Sequence, residues 1–332
     1  MKIGKYDVDI GKPVYVVAEA GINHNGNMEI AKEMIESSAN CGVNAIKFQT
    51  IIPEELFSET LNPEWYNLCK KWSFTKKQHV ELKKHAQKNG LEFFSTPLGK
   101  KSTKLLYDIG VKTMKIASGE VTNHELIKTV AKLKLPMIIS TGMTTISEIA
   151  SVVEIVKKEN CPFILLHCNS SYPTPIEDAN LSTINFLQKT FGVPVGYSDH
   201  SIGNEVCLAA VSLGGCMIEK HFTLNKKMEG PDQKLSSDPK EFSELVSKIR
   251  MIEKSLGTPR HGPTKSEEKF KNLMRKSIGT STNIQSGTKI KKSMLSVFRP
   301  GTGISPIFLD TIVGMTINKN VKKGTLLLWD MF

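Results

Sequence analysis

Apolar and polar positions alternate in blocks along the first two thirds of the chain. Short, nearly unbroken apolar runs are each followed by a stretch in which apolar residues return every three or four positions. The runs are VYVVAEAG from Val14, AIKFQT from Ala45, LEFFSTP from Leu91 and TMKIASGE from Thr113, then PMIISTGM from Pro136, FILLHCNSS from Phe163, VPVGYSDHS from Val193 and CMIEKHFT from Cys216. Runs of this length read as strands buried on both faces. The intervening EIAKEMIESSANCG, TKKQHVELKKHAQKNG and ISEIASVVEIVKKEN read as amphipathic helices, several of them ending on Gly or Asn. Eight strand–helix units in about 225 residues predict a closed (β/α)8 barrel. A doubly wound open sheet is the alternative, but its glycine-rich first turn is missing from EAGINHNG.

Polar residues gather where these strands end: Glu19, Lys47 and Gln49, Ser95 and Thr96, Lys115 and Ser118, Ser140 and Thr141. The series continues with Asn169, Ser170 and Tyr172, with Ser198, Asp199 and His200, and with Glu219 and His221. In a barrel those ends form the rim that carries chemistry. Lys47 and Lys115 sit inside apolar runs, where an unpaired ammonium costs several kcal/mol. Glu19 can neutralise one of them and leaves the other over, so an anionic ligand is the expected partner. His200 and His221 follow consecutive strands in matching positions, and two converging imidazoles suit a divalent transition metal with open positions for water and substrate. Glu219 is expected to face away from His221 on its strand, in a supporting role.

Past Thr223, MEGPDQK brings Asp232 and Lys234 to the last loop, and the helix after Ser237 or Asp238, with Pro239 in its first turn, closes the barrel. The polar TPRHGPTKSEEKF reads as a linker, and from about Lys276 the pattern changes to short strands and turns. There TNIQSGTKI and KNVKKGTLL align at a 37-residue offset, Ile284 on Val321 and Gly287 on Gly324, which points to an internal repeat. Between them VFRPGTGISP displays Arg299 on a backbone stiffened by glycines and prolines. The expected boundaries are a barrel over 1–257, a linker over 258–273 and a small β-rich domain over 274–332.

Composition narrows the class. With 332 residues, 39% hydrophobic and 23% charged, the chain is an ordinary globular protein. No apolar run reaches the roughly 18 residues of a membrane span, and MKIGKYDVDIGK is no signal peptide, so a cytoplasmic protein without membrane association is expected. The six cysteines form no C-x-x-C pair and read as reduced thiols. A net charge of +11 could indicate nucleic acid, but lysines spread along helices as in KKWSFTKKQHVELKKHAQK, without a nucleic-acid motif, read as solvated helix faces that also attract small anions.

Ten ordered motifs, AEAGINHNG, IKFQT, STP, KIASGE, STGM, YPTP, GYSDHS, EKHFT, EGPD and RPGTGISP, closely resemble the bacterial N-acetylneuraminate (sialic acid) synthase family, which includes the legionaminic and pseudaminic acid synthases. The small domain resembles their antifreeze-like (SAF) domain. The resemblance implies a transferase that condenses phosphoenolpyruvate with an N-acylated hexosamine aldehyde, N-acetylmannosamine first and a 2,4-diacetamido-trideoxyhexose as the alternative, with C–O cleavage and release of phosphate. Carried over by motif, Lys47, Thr96, Lys115, Ser118, Ser140 and Ser198 would hold phosphoenolpyruvate, with Ser170 at a position where many members read differently. Glu19 would be the acid/base or a carboxylate on a sugar hydroxyl, Lys47 and Lys115 the catalytic cations, and Gln49, Tyr172 and Asp232 the sugar contacts. His200 and His221 would bind Mn²⁺, with Mg²⁺ or Co²⁺ as substitutes. A domain-swapped homodimer would bring Arg299 to the N-acyl group in trans. Departures include Leu98, where phenylalanine is common, and Gln233, where several members have histidine.

A condensation on arabinose 5-phosphate or erythrose 4-phosphate would need a second phosphate site rich in arginine, and the chain has no arginine before Arg250. A non-enzymatic carbohydrate-binding or ice-binding protein leaves the two rim lysines and the two histidines unexplained.

Overall fold

In a computed structural model, which describes residues 1–332, the eight apolar runs form eight strands: β1 (Tyr15–Gly21), β2 (Ala45–Thr50), β3 (Glu92–Pro97), β4 (Met114–Ile116), β5 (Met137–Ser140), β6 (Phe163–Cys168), β7 (Val195–Asp199) and β8 (Met217–His221). Every neighbouring pair is parallel, and β8 pairs with both β7 and β1, so the sheet closes into a barrel. This is the predicted (β/α)8 architecture, and the open sheet is excluded.

The period of two along a strand sorts each side chain to one wall or the other. Val16, Ala18, Ile46, Phe48, Met114, Ile139, Leu165, Tyr197 and Ile218 point outward into the layer between barrel and helices. Tyr15, Val17, Ala45, Phe94, Ile138, Ile164, Leu166 and Met217 fill the inside. Those inward apolar residues occupy the lower part of the barrel. Ile3 and Val8, from and beside a small hairpin of Lys2–Ile3 with Tyr6–Asp7, join the same cluster and plug that end. One turn higher the inward positions become polar, which is what leaves a cavity there. Gly196 is an inward position where a β-carbon would lie 2.6 Å from both a Leu166 methyl and the Met217 carbonyl, so only glycine fits.

Helix starts follow the sequence signals. Thr75, Thr145 and Asp238 cap their helices in reciprocal capping boxes with Gln78, Glu148 and Glu241, and Pro239 occupies the first turn after Asp238. Between β2 and its barrel helix (Lys76–Lys88) the chain makes an excursion through helices Pro53–Leu56 and Pro63–Trp72. It packs Cys69 and Trp72 on Ile22 and Ile51, an apolar cluster at the rim that Leu98 joins from its edge. All six cysteines are buried and unpaired. No helix is long and apolar enough to cross a membrane.

Contacts divide the chain into two compact units, Met1–Gly257 and Thr258–Phe332. The stretch read as a linker contains a helix, Lys265–Met274, begun by a Thr264–Glu267 capping box that the linker reading overlooked. Beyond it, strands β9 (Ser277–Thr280) and β10 (Leu295–Phe298) pair antiparallel. The 37-residue repeat is a structural pseudo-two-fold. Ile284 and Val321, equivalent in sequence, exchange both backbone hydrogen bonds at 2.8 Å. The bond from Thr280 N to Thr325 O is mirrored by Ile317 N to Thr288 O, and that from Ser286 N to Asn320 Oδ1 by Lys323 N to Asn283 Oδ1. The net positive charge is also not where the helical lysines led one to expect. Residues 258–332 hold thirteen Lys and Arg against four Asp and Glu, so this small unit, not the barrel helices, carries most of the +11.

Candidate active site

A cavity of about 260 Å³ opens at the C-terminal rim of the barrel. Thirteen of the residues singled out in the sequence line it: Glu19, Lys47, Gln49, Thr96, Lys115, Ser118, Ser140, Ser170, Tyr172, Ser198, His200, Glu219 and His221. Their common face follows from strand register, because Glu19 on β1 pairs with Lys47 on β2 and with His221 on β8, while Gln49 pairs with Thr96. Asp232 and Arg299 fall outside this lining, as do Ser95, Thr141, Asn169 and Asp199 of the rim series. Asp232 stands beside it, with Oδ2 3.7 Å from His221 Nδ1. Arg299 belongs to the second unit, where it is exposed and its Nε donates to the Met274 carbonyl at 2.9 Å.

Glu219 corrects the sequence reading. Residues 219 and 221 are two apart, so both side chains point into the barrel, and Lys220 is the one that faces out. The inward carboxylate supplies the partner that the lysines lacked. Lys47 Nζ lies 2.8 Å from Glu19 Oε2 and 3.6 Å from Glu219 Oε1, and Lys115 Nζ lies 3.1 Å from Glu219 Oε1. Neither lysine is left over, so the inference that one of them demands an anionic ligand fails. What remains unsatisfied is finer: Glu219 Oε2, Ser140 Oγ and His221 Nδ1 are buried without a hydrogen-bond partner. Hydroxyls crowd the same wall. Thr96 accepts from Lys47 at 3.1 Å, Ser198 donates to Glu219 at 3.2 Å, and Ser118 accepts from the Gly142 amide at 2.9 Å. A β-carbon on Gly142 would lie 2.4 Å from the Ser170 hydroxyl, so a bare backbone there keeps these groups together.

The two carboxylates are pushed apart electrostatically. Burial raises the Glu19 carboxyl above its usual range, and Lys47 only partly offsets this. Glu219 feels the same burial, but Lys115 and Lys47 outweigh it and hold the group below the usual range. Burial lowers the Lys115 ammonium, whereas at Lys47 the two carboxylates overcome burial and raise it. The two carboxyls are thus shifted in opposite directions, Glu19 toward the acid form and Glu219 toward the carboxylate.

The imidazoles of His200 and His221 have ring centroids 5.3 Å apart, and the Tyr172 ring lies 4.2 Å from that of His200. Both histidines are held neutral by burial, and His221 further by its neighbour. His200 Nδ1 meets the Asn169 carbonyl at 2.6 Å, which makes it the protonated nitrogen and leaves Nε2 as a free lone pair. With the unpartnered His221 Nδ1, this donor set fits a divalent cation. No third His, Cys, Asp or Glu completes a cage, so water and substrate must fill the remaining positions.

Leu98, Ala117, Gly119, Met143 and Cys168 also line the cavity. They carried no polar signal, although Cys168 could have been found as an inward position on β6 in register with Ser198. Gln233, a departure from the familiar pattern, is fully buried away from the cavity lining. It accepts from the Thr223 hydroxyl and donates to the Asn23 carbonyl at 2.9 Å, tying the loop after β8 to the loop after β1.

A closed parallel barrel with paired lysines and carboxyls and an imidazole pair in a cavity on its C-terminal rim has the architecture and site placement of a (β/α)8 enzyme. Residues 34–261 match the NeuB family and residues 275–332 the SAF domain; the chain belongs to the NeuB family of sugar acid synthases. It is 38% identical over 95% of its length to a protein of Legionella pneumophila named N,N'-diacetyllegionaminic acid synthase, covering 94% of that protein. It is 35% identical over 98% of both chains to a pseudaminic acid synthase of Campylobacter jejuni. A solved structure of the N-acetylneuraminic acid (sialic acid) synthetase of Leptospira borgpetersenii superposes with a TM-score of 0.78 at 42% identity, covering 81% of this chain and 94% of that one.

Proposed function

We propose that this chain condenses phosphoenolpyruvate with the open-chain aldehyde of an N-acylated hexosamine, releasing phosphate and a nine-carbon keto acid. The observation that carries the reading is the pairing of Glu19 and Glu219 with Lys47 and Lys115 inside the cavity, a set that an anionic substrate can re-pair. Lys47, Lys115 and the hydroxyls of Thr96, Ser118, Ser140, Ser170 and Ser198 bind the phosphate and carboxylate. C3 of phosphoenolpyruvate bonds to the aldehyde carbon while Glu19 gives its proton to the forming alkoxide. Water adds at C2 and returns a proton to Glu19, and the C2–O bond then breaks, the second water proton leaving with the phosphate as the keto group forms. Gln49, Tyr172 and Asp232 orient the sugar. His200 and His221 would hold a divalent ion, Mn²⁺ first and Mg²⁺ or Co²⁺ as substitutes, which when bound supplies Lewis acidity at the aldehyde oxygen.

Of the two acceptors, the 2,4-diacetamido-trideoxyhexose is better supported than N-acetylmannosamine. The Legionella relative is named for a legionaminic acid, and the apolar Leu98 and Met143 at the cavity suit a deoxygenated carbon. The proposal keeps the cytoplasmic homodimer in which Arg299 of one copy serves the acceptor of the other. Arg299→Ala should then raise the KM for the sugar more than that for phosphoenolpyruvate; equal effects would count against the contact. The reaction itself is tested with phosphoenolpyruvate carrying ¹⁸O in its bridging position. The label should leave with the phosphate, and its retention in the keto acid would refute C–O cleavage.

A further inference from the structure

Behind the cavity, on the outer side of β7 and β8, lies a second buried charge pair that the reaction does not use. Asp199 and Lys220 are register partners, the last pair of the β7–β8 ladder. Both are buried, and Lys220 Nζ donates to the Asp199 carboxylate and to the Ser201 carbonyl at 2.8 Å. Asp199 Oδ1 in turn accepts from the Ser201 amide at 2.9 Å and its hydroxyl at 2.7 Å, and Oδ2 accepts from the Cys207 thiol at 3.1 Å. These bonds bracket His200. Its predecessor and successor are bonded to each other and both to Lys220, which itself immediately precedes His221. His200 lies just past the end of β7, where the ladder no longer fixes the backbone, so this bracket takes over that task.

We propose that the Asp199–Lys220 pair, with Ser201, is a positioning device that sets the spacing of the His200 and His221 imidazoles and so the affinity of the site for a divalent cation. The proposal rests on reading those imidazoles as the ligands of that cation. Stability alone does not account for it: well-packed apolar residues in place of a buried ion pair are often neutral or stabilising. Placement is what an apolar pair would lose, because only the ammonium and carboxylate bond to both sides of His200. Supports behind metal-binding histidines weaken metal affinity by about 10–100-fold when lost.

The test is a Mn²⁺ titration of the full-length protein without substrates, followed by the EPR signal of the free ion, beside a thermal melt of the metal-free protein. Asp199→Leu combined with Lys220→Met should still show a cooperative melt and bind Mn²⁺ at least about tenfold more weakly. Parent-like Mn²⁺ affinity in this double variant overturns the proposal. His221→Ala separates the two ideas. If it too binds Mn²⁺ like the parent, the ligand reading fails and takes the positioning device with it; if it alone loses Mn²⁺, only the positioning device fails. Should the double variant not fold, Ser201→Ala removes one strut, and a few-fold weaker Mn²⁺ affinity supports the device while unchanged affinity overturns it.

Discussion

Buried lysine–carboxylate pairs sit on both sides of the same barrel wall, and the two sides differ in how fully they are satisfied. Outside, Lys220 and Asp199 are bonded to each other, the Ser201 backbone and hydroxyl, and the Cys207 thiol, and no buried polar atom of either lacks a partner. Inside, Lys47 and Lys115 meet Glu19 and Glu219, yet Glu219 Oε2, Ser140 Oγ and His221 Nδ1 have no hydrogen-bond partner. A charge taken out of water is tolerated only when its bonds are completed. The outer pair has completed them within the fold. The inner set leaves them to be completed by something that enters the cavity. The difference teaches that burial of a charge does not by itself mark chemistry; incompleteness facing a cavity does.

The largest effect that could break this comparison is on turnover. Lys115→Ala and His221→Ala should each lower kcat by about 10²–10³-fold while the fold persists, since single electrostatic contacts in reacting sites are worth that much. Near-normal rates in steady-state assays, with metal added, would make the inner set as structural as the outer one. Next comes stability. Lys220→Met leaves Asp199 buried and unpaired and should cost about 3–5 kcal/mol in urea unfolding. Lys115→Met should cost distinctly less, because water in the cavity can solvate Glu219. Equal losses would erase the distinction.

A smaller effect separates both sets from a neutral buried group. His24 stacks on Phe74 with centroids 4.3 Å apart, and burial pulls its imidazole down to about 3. A histidine depressed in the fold contributes stability that is fully present above its unfolded pKa of about 6.5. That contribution is lost as pH falls from there toward 3. Melting temperature should therefore drop between pH 6.5 and 4, and the drop should flatten in His24→Phe. An unaltered pH profile in that variant would show the imidazole to be solvated.

All eight barrel strands were legible because the apolar runs are buried on both faces and interrupted by helical periodicity. Most of the cavity was legible too, because inward positions turn polar at strand ends, as at Lys47 and Gln49 or Ser198 and His200. Facing was harder to read. Glu219 shares the parity of His221 and so faces the cavity, whereas the outward charge on that strand is Lys220, which has no distinguishing signal among its neighbours. Ser95 and Asp199 belong to the same rim list yet point outward, Ser95 bonding the Phe48 carbonyl at 2.8 Å. Apolar lining such as Leu98 and Met143 has no signal of its own, since an apolar residue at a strand end looks like any other core residue. The repeat in the second unit was visible only as a faint alignment of Ile284 with Val321, because backbone bonds, which leave little trace in side-chain identity, carry its symmetry.

The most direct test is phosphate release from phosphoenolpyruvate by the full-length protein with Mn²⁺, with either acceptor or none. Release should require an acceptor and run faster with a 2,4-diacetamido-trideoxyhexose than with N-acetylmannosamine. Faster release with N-acetylmannosamine would correct the acceptor alone, and no acceptor-dependent release with either sugar would contradict the function proposed for the site.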